Sequence, residues 1–152
     1  MVIVGILAAV AIPRFASVAD YDEMTYRDSA LSVLSLARQR ALASRRFVCV
    51  QVVAGTGAGA GIALSLDPRI PEGITDALGC TVPLPVTGYP QCNPGIACPK
   101  SATVGAANFA FDPQGRPVDV ATRAVLTPNP AVSISISNQP AVNVQSRSGY
   151  AQ

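Results

Sequence analysis

A chain of 152 residues has room for one ordinary domain and an appendage, and 49% hydrophobic against 13% charged residues is apolar for a soluble protein. The net charge of +2 gives no strong electrostatic case for nucleic acid or an anionic membrane as partner. There is no histidine, which removes histidine acid–base catalysis, Ser-His-Asp and Cys-His nucleophiles and histidine metal sites.

The chain opens on "MVIVGILAAVAIPRF", an uncharged and mostly apolar run to Ile12 that Pro13 and Arg14 interrupt. A secretory signal would carry a basic region before such a run and a small-x-small cleavage site after it, and both are missing. A spanning helix needs about 20 apolar residues. The run therefore reads as a buried helix, or as part of a longer apolar segment.

Residues 20–46 predict an amphipathic helix. Ala30, Val33, Leu34, Ala37 and Ala41 fall on one stripe flanked by Leu31 and Leu42, with Asp28, Ser32, Ser35, Gln39 and Arg46 opposite. The alanines let whatever packs there approach the helix backbone closely. Acidic residues lead and arginines close, an order that complements the helix dipole. Joined to the apolar run, the helix would approach 70 Å at about 1.5 Å per residue, too long for the core of one small domain. Pro13 removes a backbone hydrogen bond, which predicts a kink or local melting near residues 9–13 and two half-helices. Residues 1–19 would project, and residues 20–152 would form the head.

Then the period changes. "FVCVQVV" and "IALSLD" read as strands joined by the flexible turn "GTGAGAG", which lacks the lysine and Ser/Thr of a phosphate-binding loop. Residues 68–107 read as a long loop rich in proline and holding three of the four cysteines. "ANFAFDPQGRPVDV" reads as a hairpin around a "DPQG" turn with proline at its favoured position. "AVSISIS" and "AVNVQSRS", separated by "NQP", alternate as two more strands, with Val132, Ile134 and Ile136 on one face. The fold class is α+β: one long N-terminal helix, with an antiparallel sheet over residues 47–152 packed on its second half.

Cys49, Cys80, Cys92 and Cys98 read as two disulfides in an extracytoplasmic protein; free buried thiols and a zinc site are the rival readings, although "CNPGIAC" is spaced too widely for zinc. The expected pairs are Cys92–Cys98, closing a short loop bent by "NPG", and Cys49–Cys80, tying the first strand to the long loop, with the other connectivities open. No catalytic constellation and no cofactor motif is present.

The opening resembles the type IV pilin family: "GILAAVAIPRF", residues 5–15, is similar to the stretch that follows the processing site of pilins and pseudopilins. "ARQRALASRR", "FVCVQV", "FDPQGRP" and "SRSGYAQ" resemble the GspH/FimT-type branch, and most of all the minor pilins of mannose-sensitive haemagglutinin pili. Family members carry a basic leader, a glycine, a methylated phenylalanine and a glutamate before this stretch. The expectation is that Met1 is internal or the chain incomplete, and that about nine further residues would bring the apolar run to a spanning length of about 20.

The resemblance implies a non-enzymatic assembly subunit without cofactor or metal. It would be a single-pass protein of the bacterial inner membrane, later packed into an extracellular pilus or a periplasmic pseudopilus. Its partners would be other pilin or pseudopilin subunits, met through filament-core residues Ile3, Gly5, Ile6, Leu7, Ala8, Val10, Ile12 and Pro13; small residues there permit close helix approach. Arg14 and the cluster Asp20, Asp22 and Glu23 are expected at the rim of that core or on a solvated face. A minor pilin is the first reading, taking part in assembly or the tip and in adhesion to a surface ligand the sequence does not name. A GspH-like pseudopilin of type II secretion is the second. A FimT-like DNA receptor is the third; it would need basic residues gathered on one exposed loop or tail, and the tail offers only Arg147, with Arg116 and Arg123 in nearby hairpins.

Overall fold

The computed structural model describes the backbone of residues 2–55, 60–86 and 103–152, and the side chains of those residues from Glu23 onward. One helix, α1, runs Val2–Ser44 and is continuous through Pro13 rather than split into two half-helices. A proline deletes a single bond of the helical ladder, and the neighbouring turns carry the helix past it. α1 stops two residues earlier than the charge pattern suggests, because Arg45 turns into the left-handed region (φ 53°) and ends the ladder. Ser29 and Ser44 each donate a side-chain hydrogen bond to the carbonyl one turn back, at 2.8 and 2.7 Å, so their hydroxyls do not compete with the helix.

Two antiparallel sheets stand where one was expected. The larger has the order β3-β2-β1-β4-β5, built from β1 (Val48–Val53), β2 (Gly61–Leu66), β3 (Val82–Pro83), β4 (Ala107–Phe111) and β5 (Pro117–Val118). The smaller pairs β6 (Val132–Ile136) with β7 (Gln139–Val144). Val104 links them, bridging Gly55 on one side and Ile136 on the other. The expected long loop over residues 68–107 also yields structure: a 3₁₀ turn, Pro71–Gly73, and β3, which pairs Val82 with Leu66 at the sheet edge. So short and proline-bearing a strand has no periodicity to read, and proline is tolerated there because an edge leaves its missing donor unneeded.

The β6–β7 turn is shorter than "NQP" suggests. Ile136 faces Gln139, so only Ser137 and Asn138 make the turn, and Asn138 takes the left-handed conformation (φ 55°) that asparagine tolerates better than most residues. Gln139 and Pro140 join β7. The register slips by one residue between Ile134 and Ile136, placing Pro140 beside a bulge, where a strand accepts it.

Both faces of the larger sheet are covered, by different means. Val48, Val50, Val52, Ile62, Leu64, Phe109 and Phe111 face α1 and are buried with it. The two phenylalanines meet edge to face at 5.4 Å. Ile134, Ile136, Val142 and Val144 of the smaller sheet complete this core. On the opposite face Cys49, Ala110 and Val118 lie under Phe47, Ile74 and Leu78. Residues 67–80 therefore form a lid on the outer face of the sheet. Cys49 and Cys80 are joined by a disulfide with a Cα separation of 6.1 Å, which fastens the end of that lid to β1. Cys92 and Cys98 lie outside the described residues.

Candidate functional site: the helix and the head that grips it

The structure places Ala30, Val33, Leu34, Ala37 and Ala41 in the core, each with no exposed surface. The same face continues one and two turns toward the N-terminus through Tyr26 and Glu23, which are 2% and 3% exposed. Glu23 is thus not part of a solvated acidic cluster. One Oε1 accepts from the Ser137 hydroxyl and from the Asn138 amide, both at 3.3 Å, so the tight β6–β7 turn seats its polar tip on the helix. The spacing 23, 26, 30, 33, 34, 37, 41 follows the helical period, a signal that was available; what hid it was the charge on Glu23.

Two arginines extend the grip. Arg27 Nε donates to the Pro140 carbonyl at 3.0 Å, and Arg38 Nε to the Ser148 carbonyl at 2.6 Å. Pro140 is in β7, while Ser148 belongs to the turn after it, so α1 is tied to the C-terminal third of the chain at two heights three turns apart. Across from Arg38, Gly115 (φ 79°) lies so close that an added Cβ would meet Arg38 Nε at 3.2 Å and Leu42 at 3.3 Å. Glycine suits the backbone angle there, and any side chain in its place would have to push Arg38 and Leu42 aside by a few tenths of an ångström.

Two Asp-Pro turns use one device to hold the outer surface together. In "DPR", Asp67 is fully buried; its Oδ1 accepts from the backbone N–H and Nε of Arg69, and its Oδ2 from Arg69 at 2.7 Å and from the Gly79 N–H at 2.7 Å. In "DPQGR", Asp112 Oδ1 accepts from the backbone N–H groups of Gln114 and Arg116, and Oδ2 from the Arg116 guanidinium. Each aspartate caps its own turn and then holds an arginine, Asp67 by two parallel bonds to its two oxygens and Asp112 through Oδ2 alone. The hydrogen bonds from Arg69 hold the Asp67 carboxyl down at about 2, against burial, which alone would raise it; the backbone N–H groups of Arg69 and Gly79 help. Arg69 also reaches Asp76 at 2.8 Å and the Ala77 carbonyl, tying the lid at both ends.

Among the described residues no group of His, Cys, Asp and Glu is placed to hold a metal ion. From Glu23 onward, no helical segment among the described residues is long and apolar enough to cross a membrane. The side chains of Ile3, Gly5, Ile6, Leu7, Ala8, Val10, Ile12, Pro13, Arg14, Asp20 and Asp22 lie outside those described. Arg116 and Arg123 border one cavity and Arg147 another, and the turn that carries Arg147 packs against the turn before Arg116, where Gly149 approaches the Gly115 carbonyl. No family model, no curated protein and no solved structure matches the chain.

Proposed function

We propose that this protein is a non-enzymatic minor pilin subunit of a type IV pilus, acting in assembly or at the tip of the filament and in adhesion. The observation that carries the reading is a mismatch of lengths. A helix of 43 residues is about 65 Å long, whereas a head of about 130 residues has a radius of gyration near 14 Å. The head's own core is filled by the stripe between residues 23 and 41. A helix that outruns its domain, and whose first residues read "VIVGILAAVAI", suits a subunit that lends this half to a membrane and then to its neighbours. Burying each large side chain of that run would contribute about 1.5–3 kcal/mol to assembly.

The grip described above fits the same role. Pulling on the helix loads Glu23, Arg27 and Arg38 against the β6–β7 hairpin and the following turn, so head and helix would move as one body. A GspH-like pseudopilin of a type II secretion system rests on the same features, with "FDPQGRP" as the shared motif. A FimT-like DNA receptor is the third reading, and a net charge of only +2 gives it little electrostatic support.

The test is deletion of the gene in its host, with surface filaments counted by electron microscopy and secreted protein measured in parallel. Fewer filaments with normal secretion is the expected result, and the reverse would favour the pseudopilin. If neither changes, the assembly role is lost.

A further inference from the structure

Among the described residues three carboxyl groups are buried, those of Glu23, Asp67 and Asp112. The two aspartates each hold an arginine and have both oxygens engaged, with every bond between 2.7 and 3.0 Å. Glu23 differs on each count. No described arginine or lysine pairs with it. Its Oε1 accepts only the two bonds of 3.3 Å from Ser137 and Asn138, and its Oε2 is buried with no partner. Bonds to a carboxylate ordinarily close to about 2.7–2.9 Å, and a buried oxygen left unpaired weakens the arrangement that buries it. One turn along the same face, the Tyr26 hydroxyl is also buried and unpartnered.

A better partner for Glu23 stands four residues on. Side chains at that spacing meet on a helix surface, and glutamate ahead of arginine is the favourable order. Yet Glu23 and Arg27 do not pair. Arg27 Nε donates to the Pro140 carbonyl at 3.0 Å, while Glu23 takes Ser137 and Asn138, so one hairpin end holds the two apart. Ser137 is half-buried and Asn138 exposed, so water can replace Glu23 as their acceptor.

We propose that the tip of the β6–β7 hairpin is a two-state latch on α1. In the closed state it takes Glu23 and Arg27 separately. In the open state residues 137–140 leave the helix, water reaches Glu23 Oε2 and the Tyr26 hydroxyl, and Glu23 pairs with Arg27 along α1. The two states are balanced because what the closed tip gains in three hydrogen bonds is offset by the unpaired carboxyl oxygen and the missing ion pair. Ile134, Val142 and Val144 stay buried, and Arg38 still holds the Ser148 carbonyl, so the head remains on the helix. The latch stands at the end of the buried stripe, where α1 outruns the head. On the assembly reading, opening presents the Glu23 and Arg27 pair to a neighbouring subunit; that consequence rests on the assembly role, whereas the latch itself does not.

The experiment is native-state hydrogen exchange on the full chain in non-ionic detergent, read by NMR as protection factors. Opening breaks the bond from the Ser137 N–H to the Thr103 carbonyl and that from the Thr103 N–H to the Ser137 hydroxyl, both 3.0 Å. It spares the bonds from the Ala131 N–H to the Val144 carbonyl and from the Gln145 N–H to the Tyr150 carbonyl, at 2.8 and 2.9 Å, at the base of the hairpin. Ser137 and Thr103 should be protected about tenfold less than Ala131 and Gln145. Glu23→Leu fills the site without a carboxyl, and should raise protection at Ser137 and Thr103 about fivefold while leaving Ala131 and Gln145 unchanged. Glu23→Gln keeps an acceptor for Ser137 and Asn138 but forms no ion pair with Arg27, and should raise it about two- to threefold. Asp28→Asn, on the exposed side of α1, should change no amide by more than about 1.5-fold. Lower protection at Ser137 and Thr103 in either Glu23 variant would show that Glu23 holds the tip shut and would overturn the latch. No change in either variant, equal protection of all four amides, or an effect of Asp28→Asn as large as that of Glu23→Leu would overturn it too. None of these outcomes bears on filament number, so the assembly role stands or falls separately.

Discussion

The two faces of the larger sheet are buried by opposite strategies. Toward α1, interdigitated valine, isoleucine and phenylalanine side chains meet an alanine-rich stripe, and the contact needs no covalent help. On the outer face the cover is an irregular segment, residues 67–80, with few apolar side chains of its own. It is held at separate points: a disulfide, the buried Asp67 with Arg69, the Arg46 and Arg123 guanidinium groups on the Pro68 and Ile74 carbonyls, and the Leu78 N–H on the Val120 carbonyl. A regular element buries area continuously, whereas a loop must be fixed at points. The inner face should therefore fail by losing packing, and the outer by losing a tie.

The largest effect should come from the inner face. Phe109→Ala removes a fully buried ring that packs on Phe111, and should cost about 3–5 kcal/mol in urea unfolding. Cutting the tie on the outer face comes next: Cys49→Ser with Cys80→Ser frees a closure of 31 residues and should cost about 3–4 kcal/mol. The same variant should expose residues 67–80 to protease while the inner face stays protected from hydrogen exchange. Simultaneous loss of both would show that the faces are one cooperative unit.

Proton linkage sharpens the contrast. Asp67 titrates at about 2 in the fold against an ordinary 3.8, so its contribution is complete above about pH 4 and is lost as pH falls toward 2. Because Arg69 is partly exposed, the effect should be about 1–2 kcal/mol, and Asp67→Asn should remove that acid dependence. Tyr26, on the inner face, runs the other way. Burial pushes its hydroxyl from 10.0 up to about 12, so stability is full below pH 10 and falls as pH rises from 10 to 12. Its buried hydroxyl has no hydrogen-bond partner, so Tyr26→Phe should abolish the alkaline loss and change stability at neutral pH by less than about 1 kcal/mol. The smallest effect belongs to the outward face of α1. Ser32→Ala and Gln39→Ala should each shift stability by no more than about 0.5 kcal/mol, and a larger loss would place that face in a contact of its own.

The helix stripe and the "DPQG" hairpin were legible because each is a local pattern. A period of 3.6 places Ala30 and Ala41 on one face whatever they later touch, and Pro113 presets the turn that Gly115 completes with its N–H to the Asp112 carbonyl at 2.8 Å. The burial of Glu23 was not legible, since its partners Ser137 and Asn138 stand more than a hundred residues away and a charged side chain reads as solvated. β3 was hidden for a similar reason: two residues have no period, and only the free edge of β2 makes them a strand.

The amino-acid sequence by itself determined the long helix, its inward stripe, the order of the main strands and the pairing of Cys49 with Cys80 as one expected tie. Those follow from dihedral preferences and side-chain periodicity, which act over a few residues. Only the tertiary structure decided that the strands divide into two sheets, that residues 67–80 close over the outer face, and that Arg45 and Arg123 meet across a cavity. Each of these depends on groups distant in the chain satisfying one another's buried polar atoms and apolar surface, and no local pattern specifies which distant partner that will be.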